Sequence, residues 1–517
     1  MTFLELLDGA EVLSQSGDAP VHGVEYDSRR VQPGGVFVAM RGEVSDGNHY
    51  IDQAIRQGAV AVVTDSPAQA PRAGVAWAQV AHGRRALGRI SSNFFHHPTQ
   101  FLSITGITGT NGKTTTAFLV ESILHAAGRA ALLLGTIEYH VCGRVLAAPH
   151  TTPESLELQN YFHDGLACET SEVVMEVSSH ALAQQRVYSI PFDVAVFTNL
   201  TRDHLDFHVD MEGYFAAKRT LFEGSGAEPP RLAVINTDDP WGVQLAETSR
   251  RQQSEVCTYG IDSGDFRASG CQLSASGLRF AVATPYGKFE IVSALCGRVN
   301  VLNILAACAA AFGRGCGVQA MVDGVRSLSH VPGRFQLVDA GQPFTVAVDY
   351  AHTDDALKNL IGLARALVAQ NGRGRVITMF GCGGDRDQAK RPLMGRAAAQ
   401  GSDLVIVTSD NPRSENPQAI IQDILTGIEA GSVKFAAEQD RGKAIAMAIA
   451  AAQPGDIVLL AGKGHEKTQT TQTGAMPFDD VEEARNALRG AGFDGGNSAG
   501  SQPAGGGLTS QPPRDNS

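Results

Sequence analysis

Short apolar runs bounded by turn residues recur along this chain, spaced as strands alternating with helices. In residues 1–95, Val36-Phe37-Val38-Ala39-Met40 and Ala59-Val60-Ala61-Val62-Val63 predict strands, with a helix over 50–57 between them. Proline punctuation follows at Pro67, Pro71 and Pro98. From 96 to 330, apolar strands fall at 101–107, 131–134, 173–177, 195–198 and 232–235, separated by helical stretches. Strands without polar alternation are buried on both faces, as in parallel βαβ units. A more alternating section over 267–293 predicts a few antiparallel strands, and a helix follows over 300–312. A third unit, 331–490, places strands at 346–348, 376–380, 404–408 and 457–461 and predicts a second doubly wound sheet. Residues 491–517 turn to Gly, Ser, Pro, Gln and Asn, which cannot bury a core, and are expected to form a disordered tail.

The length of 517 residues fits three domains. A formal net charge of -12 argues against nucleic acid as a partner, while leaving room for small anionic substrates held by local cations. The start, Met1-Thr2-Phe3-Leu4-Glu5, lacks the basic and apolar regions of a signal peptide. No apolar run reaches the roughly 18–20 residues of a membrane span. The eight cysteines make no C-x-x-C and are expected to be reduced thiols of a cytoplasmic protein.

The strand over 101–107 runs into Gly109-Thr110-Asn111-Gly112-Lys113-Thr114-Thr115, and a helix-forming stretch follows. Glycines in such a loop let backbone N–H groups turn toward phosphate oxygens, and the helix start adds positive potential. Lys113 can reach the outer phosphates of ATP, and Thr114 stands where a P-loop hydroxyl binds Mg²⁺. The longer Walker pattern is not met, because Ile107 occupies its first glycine position. The expected fold is therefore α/β in three domains: a small N-terminal α/β domain (1–95), a central P-loop mononucleotide-binding parallel-sheet domain (96–330) and a C-terminal Rossmann-like domain (331–490).

The loop resembles that of the Mur ligase family, which is related to folylpolyglutamate synthase. Met175-Glu176-Val177-Ser178-Ser179-His180, Thr198-Asn199-Leu200-Thr201-Arg202-Asp203-His204, Tyr214-Phe215-Ala216-Ala217-Lys218, Gly297-Arg298-Val299-Asn300-Val301-Leu302-Asn303, Pro332-Gly333-Arg334-Phe335 and Asp349-Tyr350-Ala351-His352-Thr353 are similar to its motifs, in the same order. Asp410-Asn411-Pro412-Arg413, flanked by the stretches 381–387 and 462–466, resembles the amino-acid motif of the diaminopimelate-adding branch.

The resemblance implies an ATP-dependent ligase of peptidoglycan synthesis. It would add meso-2,6-diaminopimelate to UDP-N-acetylmuramoyl-L-alanyl-D-glutamate through an acyl phosphate, and would be a cytoplasmic monomer. The resemblance carries roles onto individual residues. Lys113, Glu176, His204 and Lys218 would be catalytic, and Mg²⁺ would be held by Thr114, Glu176, His204 and a carbamylated Lys218. On helical spacing alone Lys218 reads as an exposed lysine. ATP would meet Gly109 through Thr115 in the loop, with Asn300, Asn303, Arg334 and Asp349. Asn300 and Asn303 are three apart on a predicted helix and share a face.

The sugar nucleotide would lie against Tyr26-Asp27-Ser28-Arg29, Glu43, Val44, Ser45, His150, Thr151, Thr152, Ser178, Gln184 and Arg186. His150 departs from the Asn common at its place. Diaminopimelate would be held by Arg386, Asp410, Asn411, Pro412, Arg413, Gly462 and Glu466. The Arg413 fork suits the second carboxylate that distinguishes diaminopimelate from lysine. Alternatives are an L-lysine-adding ligase of the same family, disfavoured by Arg413, and a non-catalytic nucleotide sensor.

Overall fold

In the computed structural model, residues 1–42, 45–274, 277–370 and 372–494 are described. Three large sheets follow one another along the chain, and a two-stranded sheet, Thr468–Thr471 with Gly474–Pro477, comes after them. The first orders its strands as Val12–Ser16, Ala76–Val80, Ala61–Thr64, Gly35–Ala39, Gly23–Glu25, and only the first pair is antiparallel. Gly35–Ala39 and Ala61–Thr64 are buried at every position, which is why their sequences show no polar alternation. The helix expected over 50–57 starts as a 3-10 turn, Gly47–Tyr50, and continues as Ile51–Arg56.

The second sheet has eleven strands. Ser103–Thr108 lies at its centre between Glu172–Glu176 and Val194–Phe197, parallel to both. Ala131–Leu134 extends one side, and Leu232–Asn236 with Glu255–Gly260 the other. The alternating section became Phe266–Ser274, Gly277–Thr284 and Gly287–Ser293, an antiparallel extension of the same sheet. The opposite edge carries a hairpin, Glu138–Val141 with Arg144–Ala147, that the apolar pattern does not reveal because its outer strand is largely exposed. Val173, Val174 and Met175 have no exposed surface. Burying side chains of that size contributes about 1.5–3 kcal/mol each. Helices Lys113–Ala126 and Arg298–Gly313 share one core against this sheet.

The third sheet runs Gln336–Leu337, Thr345–Asp349, Ile457–Ala461, Val376–Phe380, Leu404–Thr408, Lys434–Glu438, all parallel except the first pair. Separate apolar clusters cover its two faces. Beneath it, Arg441 and Asp480 form a bidentate ion pair with neither side chain exposed (Nε–Oδ1 2.7 Å, Nη2–Oδ2 2.6 Å). The same guanidinium donates to the carbonyls of Ala461 (3.0 Å) and Ser409 (3.4 Å). Phe493 packs on Phe344 with ring centroids 5.7 Å apart. Residues 495–517, most of the expected tail, lie outside the described residues.

One expectation is corrected. Cys142 and Cys168 are joined as a disulfide, with Cα atoms 5.7 Å apart, rather than standing as two thiols. Cys142 turns the edge hairpin and Cys168 ends the helix Ser155–Ala167, so folding brings together two residues that no short spacing motif connects. The other six cysteines are free. Among the described residues no helix is long and apolar enough to cross a membrane.

Candidate functional site

Parallel sheets gather their loops at the carboxyl ends of the strands, and ligands bind there beside the point where strand order reverses. In the central sheet this end presents the loop after Thr108, the carboxylate of Glu176 and the loop after Phe197. Gly112 caps the helix Lys113–Ala126 at φ 88°, and an added Cβ would lie 2.4 Å from Asn303 Oδ1, so only glycine fits. Asn199 Oδ1 accepts from the Asn111 N–H (2.9 Å), and Thr110 Oγ1 donates to the Thr201 carbonyl (3.1 Å). Thr114 and Thr115 begin the helix, both buried. Asn303 Nδ2 donates to Asn300 Oδ1 at 2.9 Å, so the expected shared face exists and abuts the loop.

Two lysines converge on this loop. Lys113 Nζ donates to the carbonyls of Gly109 (3.0 Å) and Thr110 (2.9 Å), and Lys218 Nζ to that of Gly109 (2.8 Å). The helix Met211–Glu223 starts at Asp210, which accepts from the Gly213 N–H. A cap of this kind stabilises by about 1 kcal/mol. That helix buries Lys218 to 1% exposure, against the reading from helical spacing alone. The ammonium sits 4.5 Å from the Tyr214 ring centroid. Burial, then the charge of Lys113, holds the Lys218 amine far below the ordinary lysine range. Lys113 is lowered too, by burial, with Glu176 opposing.

The strand Glu172–Glu176 has a buried carboxylate at each end, and the two differ. Glu172 pairs with Arg129 and Arg314, each at 3.0 Å. Glu176 instead accepts from the Thr136 N–H (2.8 Å) and hydroxyl (2.9 Å), and among the described residues no cation lies within ion-pair distance. Its negative charge is oriented, with Lys113 near enough to feel it but not to pair with it, which leaves room for a cation with oxygen ligands. His204 holds a left-handed backbone, φ 53°. Its ring lies 3.3 Å from Asp203 and edge-on to His180. Burial pushes its imidazolium down, so the ring is neutral and can act as a ligand. Among the described residues no three His, Cys, Asp or Glu side chains group as a ready metal site.

The third sheet meets this site through Arg334. Its Nη2 donates to Thr114 Oγ1 at 3.1 Å, its guanidinium lies 4.9 Å from the Tyr350 ring, and its buried Nε has no partner among the described residues. Asp349 Oδ2 accepts from the Phe335 N–H (2.7 Å) and Oδ1 from the Ala351 N–H (2.8 Å), which fixes the Arg334 turn. At Gly333, φ 65°, an added Cβ would lie 2.2 Å from the His465 nitrogen. Arg202 pairs with Asp354 (2.7 Å) and Asp387 (3.4 Å) across the same junction.

The loops after Phe380, Thr408 and Ala461 build the next pocket. Asn411 Nδ2 donates to Glu466 Oε2 at 2.8 Å. Arg413, φ 50°, donates through Nη1 to the Gly384 carbonyl (2.6 Å). The Pro412 carbonyl accepts from the Glu415 N–H (3.0 Å). Gly462 (φ 111°) places its would-be Cβ 3.7 Å from Asp410 Oδ2. Arg386 is exposed at the rim.

The first sheet reaches the central one through Tyr26, whose hydroxyl donates to Glu157 Oε1 at 2.8 Å. Ser28 donates to Gln53 (3.2 Å), and Ser45 lies 3.5 Å from the Tyr50 hydroxyl. Glu43 and Val44 lie outside the described residues. The His150 carbonyl accepts from Tyr139, Thr151 Oγ1 lies 3.1 Å from Thr136 Oγ1, and Thr152 Oγ1 donates to the Glu176 carbonyl (2.9 Å). Thr152 Oγ1 also accepts from the Ser178 N–H (3.1 Å). Arg186 donates to Gln184 Oε1 (2.7 Å) and to the Thr152 carbonyl (3.0 Å). The hydroxyls and Arg186 thus sit one residue from Glu176.

Sequence reasoning did not single out Thr136, Asp203, Tyr350 or Lys463. Thr136 lies 40 positions from the carboxylate it orients, and no local signal marks it. The other three stand inside quoted motifs, where neighbours drew the attention.

The family model described as Mur ligase family, catalytic domain, matches residues 20–95. The Mur ligase middle domain matches 107–311, and the Mur ligase, glutamate ligase domain 333–464. The UDP-N-acetylmuramoyl-L-alanyl-D-glutamate–2,6-diaminopimelate ligase of Solibacter usitatus is 53% identical, over 92% of this chain and 94% of that protein. The enzyme of that name from Geobacter metallireducens is 46% identical over 91% and 94%. A solved structure of a ligase of that name superposes with a TM-score of 0.65 at 34% identity, covering 92% of this chain and 96% of that one. The Mycobacterium tuberculosis folylpolyglutamate synthase shares the fold at 18% identity, with a TM-score of 0.59 over 79% of this chain and 95% of that one.

Proposed function

This chain belongs to the Mur ligase family, and from that premise we propose that it joins meso-2,6-diaminopimelate to UDP-N-acetylmuramoyl-L-alanyl-D-glutamate with cleavage of ATP to ADP and phosphate. The observation that carries this reading is Arg334, which touches Thr114 of the phosphate loop from a turn packed on the backbone of His465, beside Glu466 of the pocket. A phosphate-binding loop and a pocket of two carboxylates, an amide and an arginine then face one reaction space.

A carboxylate does not condense with an amine at neutral pH until it is activated. Transfer of the γ-phosphoryl group makes the D-glutamyl carboxylate an acyl phosphate. The amine then attacks its carbonyl carbon, and phosphate leaves from the tetrahedral intermediate. Lys113 would exchange the carbonyls of Gly109 and Thr110 for phosphate oxygens, and Arg334 would bring its free Nε to the same anion. Thr151, Thr152, Ser178 and Arg186 would orient the peptide carboxylate, with Tyr26, Ser28 and Ser45 on the sugar nucleotide. Asn300 and Asn303 would line the adenine side of the loop. Arg413 and Arg386 would take the far carboxylate of diaminopimelate, and Asp410, Asn411 and Glu466 its ammonium.

Lys218, held far below the ordinary lysine range by burial and by the charge of Lys113, would add its amine to carbon dioxide, giving a carbamate and releasing a proton. Mg²⁺ would then be held by Glu176, Thr114, His204 and that carbamate, where it would offset phosphate charge. Contact across the Arg202 junction keeps water from the acyl phosphate. The enzyme would work as a cytoplasmic monomer. Phosphate release with the dipeptide substrate, comparing meso-diaminopimelate with L-lysine, tests the reading. Turnover with diaminopimelate alone is expected, and equal turnover with L-lysine would overturn the specificity.

A further inference from the structure

We propose that Lys463 is a positioning residue that sets the charge and the hydrogen-bond polarity of the amino-acid pocket. The inference rests on the reading of Asp410–Arg413 and Glu466 as the walls of that pocket. Lys463 has no exposed surface, so it cannot itself meet a substrate. Its ammonium faces three acceptors: Asn411 Oδ1 at 3.1 Å, Glu466 Oε2 at 3.1 Å and Asp410 Oδ1 at 3.5 Å. Three donors meet three acceptors, which uses the full capacity of a lysine.

The first consequence concerns Asn411. Its Oδ1 accepts from Lys463 and from the Thr470 N–H (2.9 Å), while its Nδ2 donates to Glu466 (2.8 Å). A flipped amide would set its NH₂ group against two donors and its oxygen against a carboxylate. Lys463, together with the Thr470 N–H, fixes which end of Asn411 faces Glu466, and so which group of an incoming amino acid Asn411 can serve.

The second consequence is charge. Asp410 and Glu466 bring two negative charges and Lys463 one positive, leaving one net negative charge opposite the Arg413 guanidinium. That matches an amino-acid end bearing one ammonium and one carboxylate. Without Lys463 the two carboxylates would repel each other, and the pocket would favour a ligand of greater positive charge.

The test compares the wild type with Lys463→Met and with Lys463→Arg, which keeps the positive charge and the donors that face Asp410, Asn411 and Glu466. Initial rates give KM for diaminopimelate, ATP and the sugar nucleotide, and a thermal melt of each protein reports folding. Lys463→Met is expected to raise KM for diaminopimelate about tenfold or more, with KM for ATP changed by less than about twofold. Lys463→Arg is expected to recover most of that loss. An unchanged diaminopimelate KM in Lys463→Met would overturn the proposal. So would equal losses in both variants, tracking a lowered melting temperature, which would make Lys463 a structural residue only. A wild type inactive with diaminopimelate would instead defeat the pocket reading on which the proposal rests.

Discussion

The side-chain ammonium groups of Lys113 and Lys218 donate to a single acceptor, the carbonyl oxygen of Gly109, at 3.0 and 2.8 Å. Two buried cations sharing one carbonyl disfavour each other, and Lys218, which lacks the opposing pull that Glu176 exerts on Lys113, gives up its charge more readily. Conversion of Lys218 to a carbamate would reverse the sign of one partner. Removing carbon dioxide from the buffer is therefore expected to lower kcat, and bicarbonate to restore it. Lys218→Ala is expected to lose about 100-fold or more in kcat at either bicarbonate level. Labelled bicarbonate should give a carbamate signal by carbon NMR in the wild type only. Full activity without carbon dioxide would refute the carbamate.

Arg413 carries a planar guanidinium in the loop after Thr408, with Nη1 on the Gly384 carbonyl. Arg413→Lys keeps the charge and loses the fork, so kcat/KM for diaminopimelate is expected to fall about 10- to 100-fold, from loss of charge-assisted hydrogen bonds of about 1.5–3 kcal/mol. KM for ATP should stay constant. Steady-state kinetics with each substrate varied checks both statements.

His140 clips the phosphate-loop helix to the edge hairpin, with Nδ1 2.6 Å from Glu121 and Nε2 3.0 Å from Glu138. Burial opposes its charge, but the two carboxylates outweigh it and raise the imidazolium to about 9. The folded value lies above the ordinary 6.5. Its stabilisation is thus complete below about pH 6.5 and lost as pH rises through about 9. His140→Gln should lower the melting temperature more at pH 6 than at pH 9.5. A pH-independent difference in thermal melts would show that the clip is uncharged.

The Arg441–Asp480 pair has no exposed surface. Arg441→Met leaves a buried carboxylate alone and is expected to cost about 3–5 kcal/mol, whereas Arg441→Met/Asp480→Leu should recover much of it. Chemical denaturation of the three proteins measures this.

Much of the architecture could be read from the chain, because a parallel strand buried on both faces declares itself as an apolar run. Val173-Val174-Met175 is such a run, and the phosphate loop beside it is contiguous and needs no partner to be recognised. The edge hairpin and the strand Glu255–Gly260 escaped because exposed or mixed faces imitate loops. The burial of Lys218 could not be read from helical spacing, since it depends on the loop that packs over it. Thr136, which decides that Glu176 is oriented without being neutralised, is a neighbour only in three dimensions.

Because Arg334 leans on Thr114 while its own turn packs against His465, occupancy of the two sites is expected to be energetically coupled. Whatever factor a nucleotide applies to the affinity for the amino acid, the amino acid must return to the nucleotide. An inhibitor built for either site will therefore show a potency that depends on how full the other one is.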